Sequence, residues 1–198
     1  IERYAKELMA ALDEQLGLAV PDYPIKLGIF PKDIVERSTG ITDPEKKEIR
    51  LKIELANGIL SLWRRKYVIA HELVHAACMR YSRLQAPWFV EGMAVFYGLR
   101  VLSSIDSRAS VIHSDLINEM PSEYQNGYNR IQLLESMCGN GFIRRLARLR
   151  SPTIHDRVYD TILYFSEILP EESIKPIVKW CESRPRACEK IVLMNALD

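Results

Sequence analysis

The stretch His71-Glu72-Leu73-Val74-His75 decides how the chain is read. It has the pattern H-E-x-x-H and lies in an apolar run of helical spacing from Tyr67 to Tyr81. Residues four apart on a helix share a face, with Cβ atoms roughly 6 Å apart. His71 and His75 can therefore offer two imidazoles to one metal ion. Glu72 is turned by about 100°, one step of a 3.6-residue turn. Its carboxylate can lean over a water on that metal without being a ligand. Val68, Ile69, Ala70, Leu73, Val74, Ala76, Ala77 and Cys78 make the run apolar nearly all round, which predicts a buried helix. Buried helices exclude His and Glu unless these are paired or metal-bound. The chain has four His in 198 residues, and two of them fall in this pattern. Two nitrogens on the ion and a carboxylate that takes a proton from water is the arrangement of a zinc hydrolase.

A catalytic zinc usually takes three protein ligands plus water. The stretch Pro87-Trp88-Phe89-Val90-Glu91-Gly92-Met93-Ala94 supplies the third, Glu91, which follows His75 after fifteen intervening residues. Residues 82–87 make a short connection, and Pro87 suits the first turn of a second helix over 88–102. If the two helices pack antiparallel, an acid early in the second reaches a histidine late in the first. Gly92 is expected to let those backbones approach closely.

Together these stretches resemble the gluzincin zinc peptidases, whose motifs are H-E-x-x-H and a downstream Glu in an E-G-x-A setting. The resemblance implies His71, His75 and Glu91 as zinc ligands and Glu72 as general base. A third stretch, with Tyr124, Gly127 and Leu134, resembles the Y-x-x-G-x-x-x-x-x-x-L of the aminopeptidase and leukotriene-hydrolase branch, where the tyrosine stabilises the oxyanion. Tyr128, one turn further on, shares a face with Tyr124, so spacing alone leaves both open. Residues 60–150 carry the resemblance. Two features depart from it. No G-x-M-E-N motif precedes the helix, so an endopeptidase is expected rather than an aminopeptidase. Val95 stands where thermolysin-like enzymes carry an Asp that orients a histidine, so an acceptor behind His71 or His75 must come from elsewhere.

The remaining sequence gives the frame. Hydrophobic residues make up 47% and charged residues 27%, ordinary for a soluble domain able to bury a core. A net charge of +1 gives no case for nucleic acid. No apolar run approaches the ~18 residues of a membrane span. Ile1, Tyr4, Ala5, Leu8, Met9, Leu12 and Leu16 mark an amphipathic helix that Gly17 stops. Residues 24–31 and 48–55 alternate as strands. In the second, Ile49, Leu51, Ile53 and Leu55 oppose Arg50, Lys52 and Glu54, and extended substrate is expected to pair along its edge. Residues 38–44 read as a turn, Ser103 and Ser104 as a break, and Ser122 as the N-cap of a helix over 123–138. A basic helix over 142–150 and helices near 156–169, 171–182 and 186–197 complete the chain. Cys78 and Cys138 read as core residues. Cys181 and Cys188 suit a disulfide, which with a chain beginning at Ile1 leans the expectation to an extracytoplasmic setting. His113 and His155 read as surface or capping residues.

The expected fold is α+β of the zincin type, one metallopeptidase domain over 1–198. Residues 1–80 would hold the sheet and zinc helix, residues 81–198 a helical lobe, with a cleft between them. The expected cofactor is zinc and the expected partner a peptide or protein substrate. Oligomeric state stays open. The alternative is a gluzincin-like binding module without turnover.

Overall fold

Helix α1, Glu2–Leu16, forms where apolar residues recur every three or four positions, and it buries Ala5, Leu8 and Leu12. It ends as expected at Gly17, whose φ of 60° suits a residue without Cβ and whose N–H donates to Asp13 O. The computed structural model describes residues 2–17, 20–28, 39–43, 45–52, 59–78, 87–107, 109–138 and 175. Among these the chain is mostly helical with one small sheet, an α+β arrangement. The Cys181–Cys188 pair, His155, the basic helix and the three C-terminal helices lie outside the described residues.

Three strands make the sheet in the order β1 (Ile25–Gly28), β3 (Glu48–Lys52), β2 (Gly40–Asp43). β3 pairs parallel with β1, Ile25 opposite Ile49, and antiparallel with β2, Thr42 opposite Ile49. Two expectations are corrected here. Residues 40–43 form a strand rather than a turn, because Ile41 and Thr42 are β-branched and the turn comes later, where Asp43 Oδ1 accepts from the N–H groups of Glu45 and Lys46. β3 is the central strand, so both of its edges are taken and a substrate cannot pair along Glu48–Lys52. The alternation is as read: Ile49 and Leu51 are fully buried while Arg50 and Lys52 are half-buried. Glu48 is buried as well, and hydrogen bonds from Lys26 and Arg50 hold its carboxyl below the ordinary carboxylate range.

α2, Ile59–Cys78, starts two turns ahead of Tyr67, since no Gly or Pro interrupts the run after Gly58. α3, Pro87–Ile105, passes through Ser103 and Ser104 without a break: the Ser104 hydroxyl bonds back to Val101 O, which a helix tolerates. α4 is Ala109–Asn118 and α5 is Ser122–Cys138. Pro121, not Ser122, occupies the capping position of α5, its carbonyl accepting from the N–H groups of Tyr124 and Gln125. α3 is the central helix and packs on α1, α2 and α5. One continuous core joins Leu8 and Leu12 of α1, Leu51 of β3, Ile69 and Leu73 of α2, Phe89 and Leu102 of α3, and Leu134 of α5. Each such side chain contributes roughly 1.5–3 kcal/mol when fully buried. Among the described residues no helix is long and apolar enough to cross a membrane.

Candidate metal centre

The candidate ligands come from two helices that run antiparallel, as expected. His75 meets Glu91, the backbone of His71 meets Gly98, and Lys66 meets Asp106. A Cβ on Gly98 would lie 3.2 Å from His71 N, so Gly98 is the glycine that lets α3 close on α2. Gly92 serves a different contact from the one expected. It abuts Gly127 of α5, where a Cβ would fall 2.5 Å from Gly127 O. These paired glycines bring α5, and with it Tyr124, against the helix that carries Glu91.

His71 Nε2 and His75 Nε2 stand 3.1 Å apart, and Glu91 Oε2 lies 3.3 Å from the first and 3.5 Å from the second. A tetrahedral zinc with ligands at about 2.0–2.1 Å holds them about 3.3–3.4 Å from one another, so the donor set has the right type and spacing. Among the described residues Glu91 Oε2 is buried with no hydrogen-bond partner of good geometry. Burial opposes ionisation of Glu91, but the two imidazoles outweigh it and hold the carboxyl well below its ordinary range. Burial likewise disfavours charge on His75, yet the adjacent Glu91 carboxylate, followed by the charge of Glu72, raises its pKa. Both shifts express one field that draws positive charge to the point where the three atoms converge.

Glu72 stands beside this group and is not one of its three members. The residue is 4% exposed, and Thr42 Oγ1 on β2 lies 2.7 Å from Glu72 Oε2 and 3.0 Å from the Glu72 carbonyl oxygen. Gly40 belongs to the same contact, since a Cβ there would come within 2.7 Å of Glu72 Oε1. The strand β2 therefore cradles this carboxylate.

The two tyrosines of α5 part company. The Tyr124 ring lies 6.1 Å from that of His71. Burial, followed by the charges of Glu91 and Glu72, pushes its hydroxyl up to about 12, so it is a neutral donor near pH 7. Tyr128 sits one turn, about 5.4 Å, further along and faces other neighbours. Its hydroxyl is 3.1 Å from His113 Nε2, its ring packs on Phe96, and it lines a separate cavity of about 440 Å³ with Glu135. His113 of α4 is thus partly buried and paired with Tyr128 of α5, not a surface or capping residue, and burial lowers its pKa.

Two neighbours of the site were not anticipated. Thr42 is one. The other is Tyr67, whose hydroxyl lies 3.1 Å from His71 Nδ1. The signal was present: Tyr67, His71 and His75 follow one another at intervals of four. Burial first, then the charge of Glu91, keeps this hydroxyl protonated far above neutral pH.

Comparison with models of known protein families, with curated proteins and with solved structures returns no match.

Proposed function

We propose that this chain is a zinc-dependent peptidase of gluzincin type, with the zincin form of the α+β fold. The observation that carries the proposal is the convergence of His71 Nε2, His75 Nε2 and Glu91 Oε2 at 3.1–3.5 Å, with a separately held Glu72 beside them. When bound there, zinc supplies a Lewis acid and lowers the pKa of water toward 7. Glu72 accepts a proton from water and passes it to the leaving amine. Thr42 fixes the direction in which its carboxylate points. Tyr124 donates to the oxygen that gains charge as the carbonyl is attacked. Among the described residues β2 pairs on one edge only, and it carries Thr42. An extended peptide that added to its outer edge would run past Glu72. This edge replaces β3 as the place for the substrate backbone, and it favours internal peptide bonds.

The test is metal analysis of purified protein, followed by cleavage of a mixed peptide library read by mass spectrometry. About one zinc per chain is expected, with acetylated and amidated peptides cut as well as free ones. Glu72→Gln should keep zinc and fold but lose hydrolysis, because an amide cannot accept the proton. A requirement for a free N-terminus would point to the aminopeptidase branch.

One observation favours a second reading, a zinc-binding module without turnover: Glu72 is buried and one of its carboxylate oxygens is taken by Thr42. Zinc-loaded wild-type protein that cuts no member of the library would select it.

A further inference from the structure

Both ring nitrogens of His71 are engaged, and they make opposite demands on its proton. Nε2 faces His75 Nε2 and Glu91 Oε2. Nδ1 faces the Tyr67 hydroxyl at 3.1 Å. A neutral imidazole carries one N–H, and only the nitrogen without it has a lone pair for a cation. If Tyr67 donates to Nδ1, the proton sits on Nε2 and points at Glu91. If Nδ1–H donates to Tyr67, Nε2 offers its lone pair to the place where the three candidate ligands meet. In that second state the tyrosine's own proton needs another acceptor. The structure supplies one: Sδ of Met120, in the turn between α4 and α5, lies 3.8 Å from Tyr67 Oη. Thioether sulfur is a weak acceptor, but it lies beside a buried hydroxyl whose other neighbour among the described residues is His71.

We propose that Tyr67 and Met120 together set the tautomer of His71, Tyr67 accepting from Nδ1–H and donating to Met120 so that Nε2 is free to bind a divalent cation. Val95 offers no acceptor to His71, and Tyr67 stands at Nδ1 instead. It comes from the ligand's own helix, one turn back, so its position follows that of His71 whenever α2 shifts. A hydroxyl suits this role because it can turn. It can donate to Nδ1 while Nε2–H faces Glu91, or accept from Nδ1–H and donate to Met120, and the Met120 acceptor is what favours the second state. A carboxylate in its place would hold one tautomer permanently and add a buried negative charge beside Glu72 and Glu91. Tyr67 is a positioning residue: it touches neither substrate nor ion and acts through His71.

The inference rests on the metal reading of the site, and the test separates the two. Zinc affinity of metal-free protein is measured by competition with a chromogenic chelator, and the ring nitrogens of His71 are followed by ¹⁵N NMR in metal-free and zinc-loaded protein. Tyr67→Phe keeps the ring and removes the hydroxyl; it should weaken zinc binding roughly 10–100-fold, the range for a lost partner behind a ligand histidine. Met120→Leu should weaken it in the same direction and by less. Zinc-loaded wild type should show a protonated Nδ1 that exchanges slowly, and Tyr67→Phe should speed that exchange. A purely structural role would lower the melting temperature of the metal-free protein and leave zinc affinity and the ¹⁵N signals where they were. Wild type that binds zinc while Tyr67→Phe binds within twofold of it overturns the inference and leaves the metal centre standing. Should Tyr67→Phe fail to fold, an unprotonated Nδ1 in zinc-loaded wild type, or unchanged affinity in Met120→Leu, overturns it as well. Wild type that binds no zinc overturns both.

Discussion

Gly92→Ala puts a single methyl between the helix that carries Glu91 and the helix that carries Tyr124. That methyl would lie 2.5 Å from Gly127 O, 2.6 Å from its carbonyl carbon and 2.9 Å from its Cα. Carbon atoms in good contact sit about 3.5–4.0 Å apart, so the overlap is about 1 Å. It falls on backbone, which has no rotamer to change. Two effects compete. Replacing Gly by Ala inside a helix gains up to about 1 kcal/mol. Overpacking costs about 1–3 kcal/mol, and a backbone clash belongs at the upper end. Repulsion wins, with a net loss of about 1–2 kcal/mol. For a chain of this size that lowers the melting temperature by roughly 2–8 °C. The relief open to the structure is to push α5 outward, which carries Tyr124 away from His71. The ligands belong to α2 and α3, so zinc affinity should change by less than about threefold, while peptide cleavage falls at least about tenfold. Calorimetry, chelator competition and cleavage rates on one preparation decide it. A variant more stable than wild type and equally active would refute the reasoning, because propensity alone would then account for the change.

Four further outcomes are expected. Glu91→Ala should weaken zinc binding and His75→Ala abolish it, as followed by metal content after dialysis; full zinc affinity in Glu91→Ala would remove Glu91 from the ligand set. Tyr124→Phe should lower the cleavage rate roughly 100-fold with little change in zinc binding or stability, the scale of one lost oxyanion donor, whereas Tyr128→Phe, whose hydroxyl faces His113, should not; an equal loss from Tyr128→Phe would reverse the assignment. In metal-free protein, the raised pKa of His75 and the lowered pKa of Glu91 describe one ion pair. Its stabilisation is present between those two folded-state values and is lost as pH rises through that of His75 or falls through that of Glu91; zinc affinity runs the other way, falling on acidification as protons compete for His75. Urea titrations at several pH values, with and without zinc, should show the opposite slopes. Burial pushes the Cys78 thiol up to about 12, so in native protein at pH 8 it should resist alkylation that proceeds on unfolding, as peptide mapping by mass spectrometry would report.

How much of the site the sequence carries depends on how far apart in the chain its parts lie. His71, Glu72 and His75 are legible because one helix turn brings them together and helix geometry is the same everywhere. Glu91 is legible because a short connection between two apolar helices leaves few ways to pack them. Tyr67 obeys the same interval of four, but a tyrosine in an apolar run reads as packing unless its hydroxyl is followed. Gly40 and Thr42 are not legible, since they reach Glu72 through a strand, and the strand order that puts β3 between β1 and β2 is a non-local choice. For the same reason Gly92 points to a close helix contact without naming the partner, which is Gly127 rather than the backbone of α2.

The short turn from Glu119 to Pro121 touches His71's surroundings twice. Its Met120 meets the hydroxyl behind Nδ1, and it leads directly into the helix whose first turn brings the Tyr124 ring near that of His71. The turn is held by the Gln125 amide on Met120 O, by Met120 N–H on Ile117 O and by Arg64 on Glu119, groups that are exposed or half-exposed. Segments of that kind open far more often than a buried helix does. Each opening would release both contacts at once, so hydrogen exchange at Met120 and Tyr124 should proceed as a single event while the amides of His71 and His75, deep in α2, stay protected. The candidate site would then pair a slow half built into the core, which holds the candidate ligands, with a fast half at the surface.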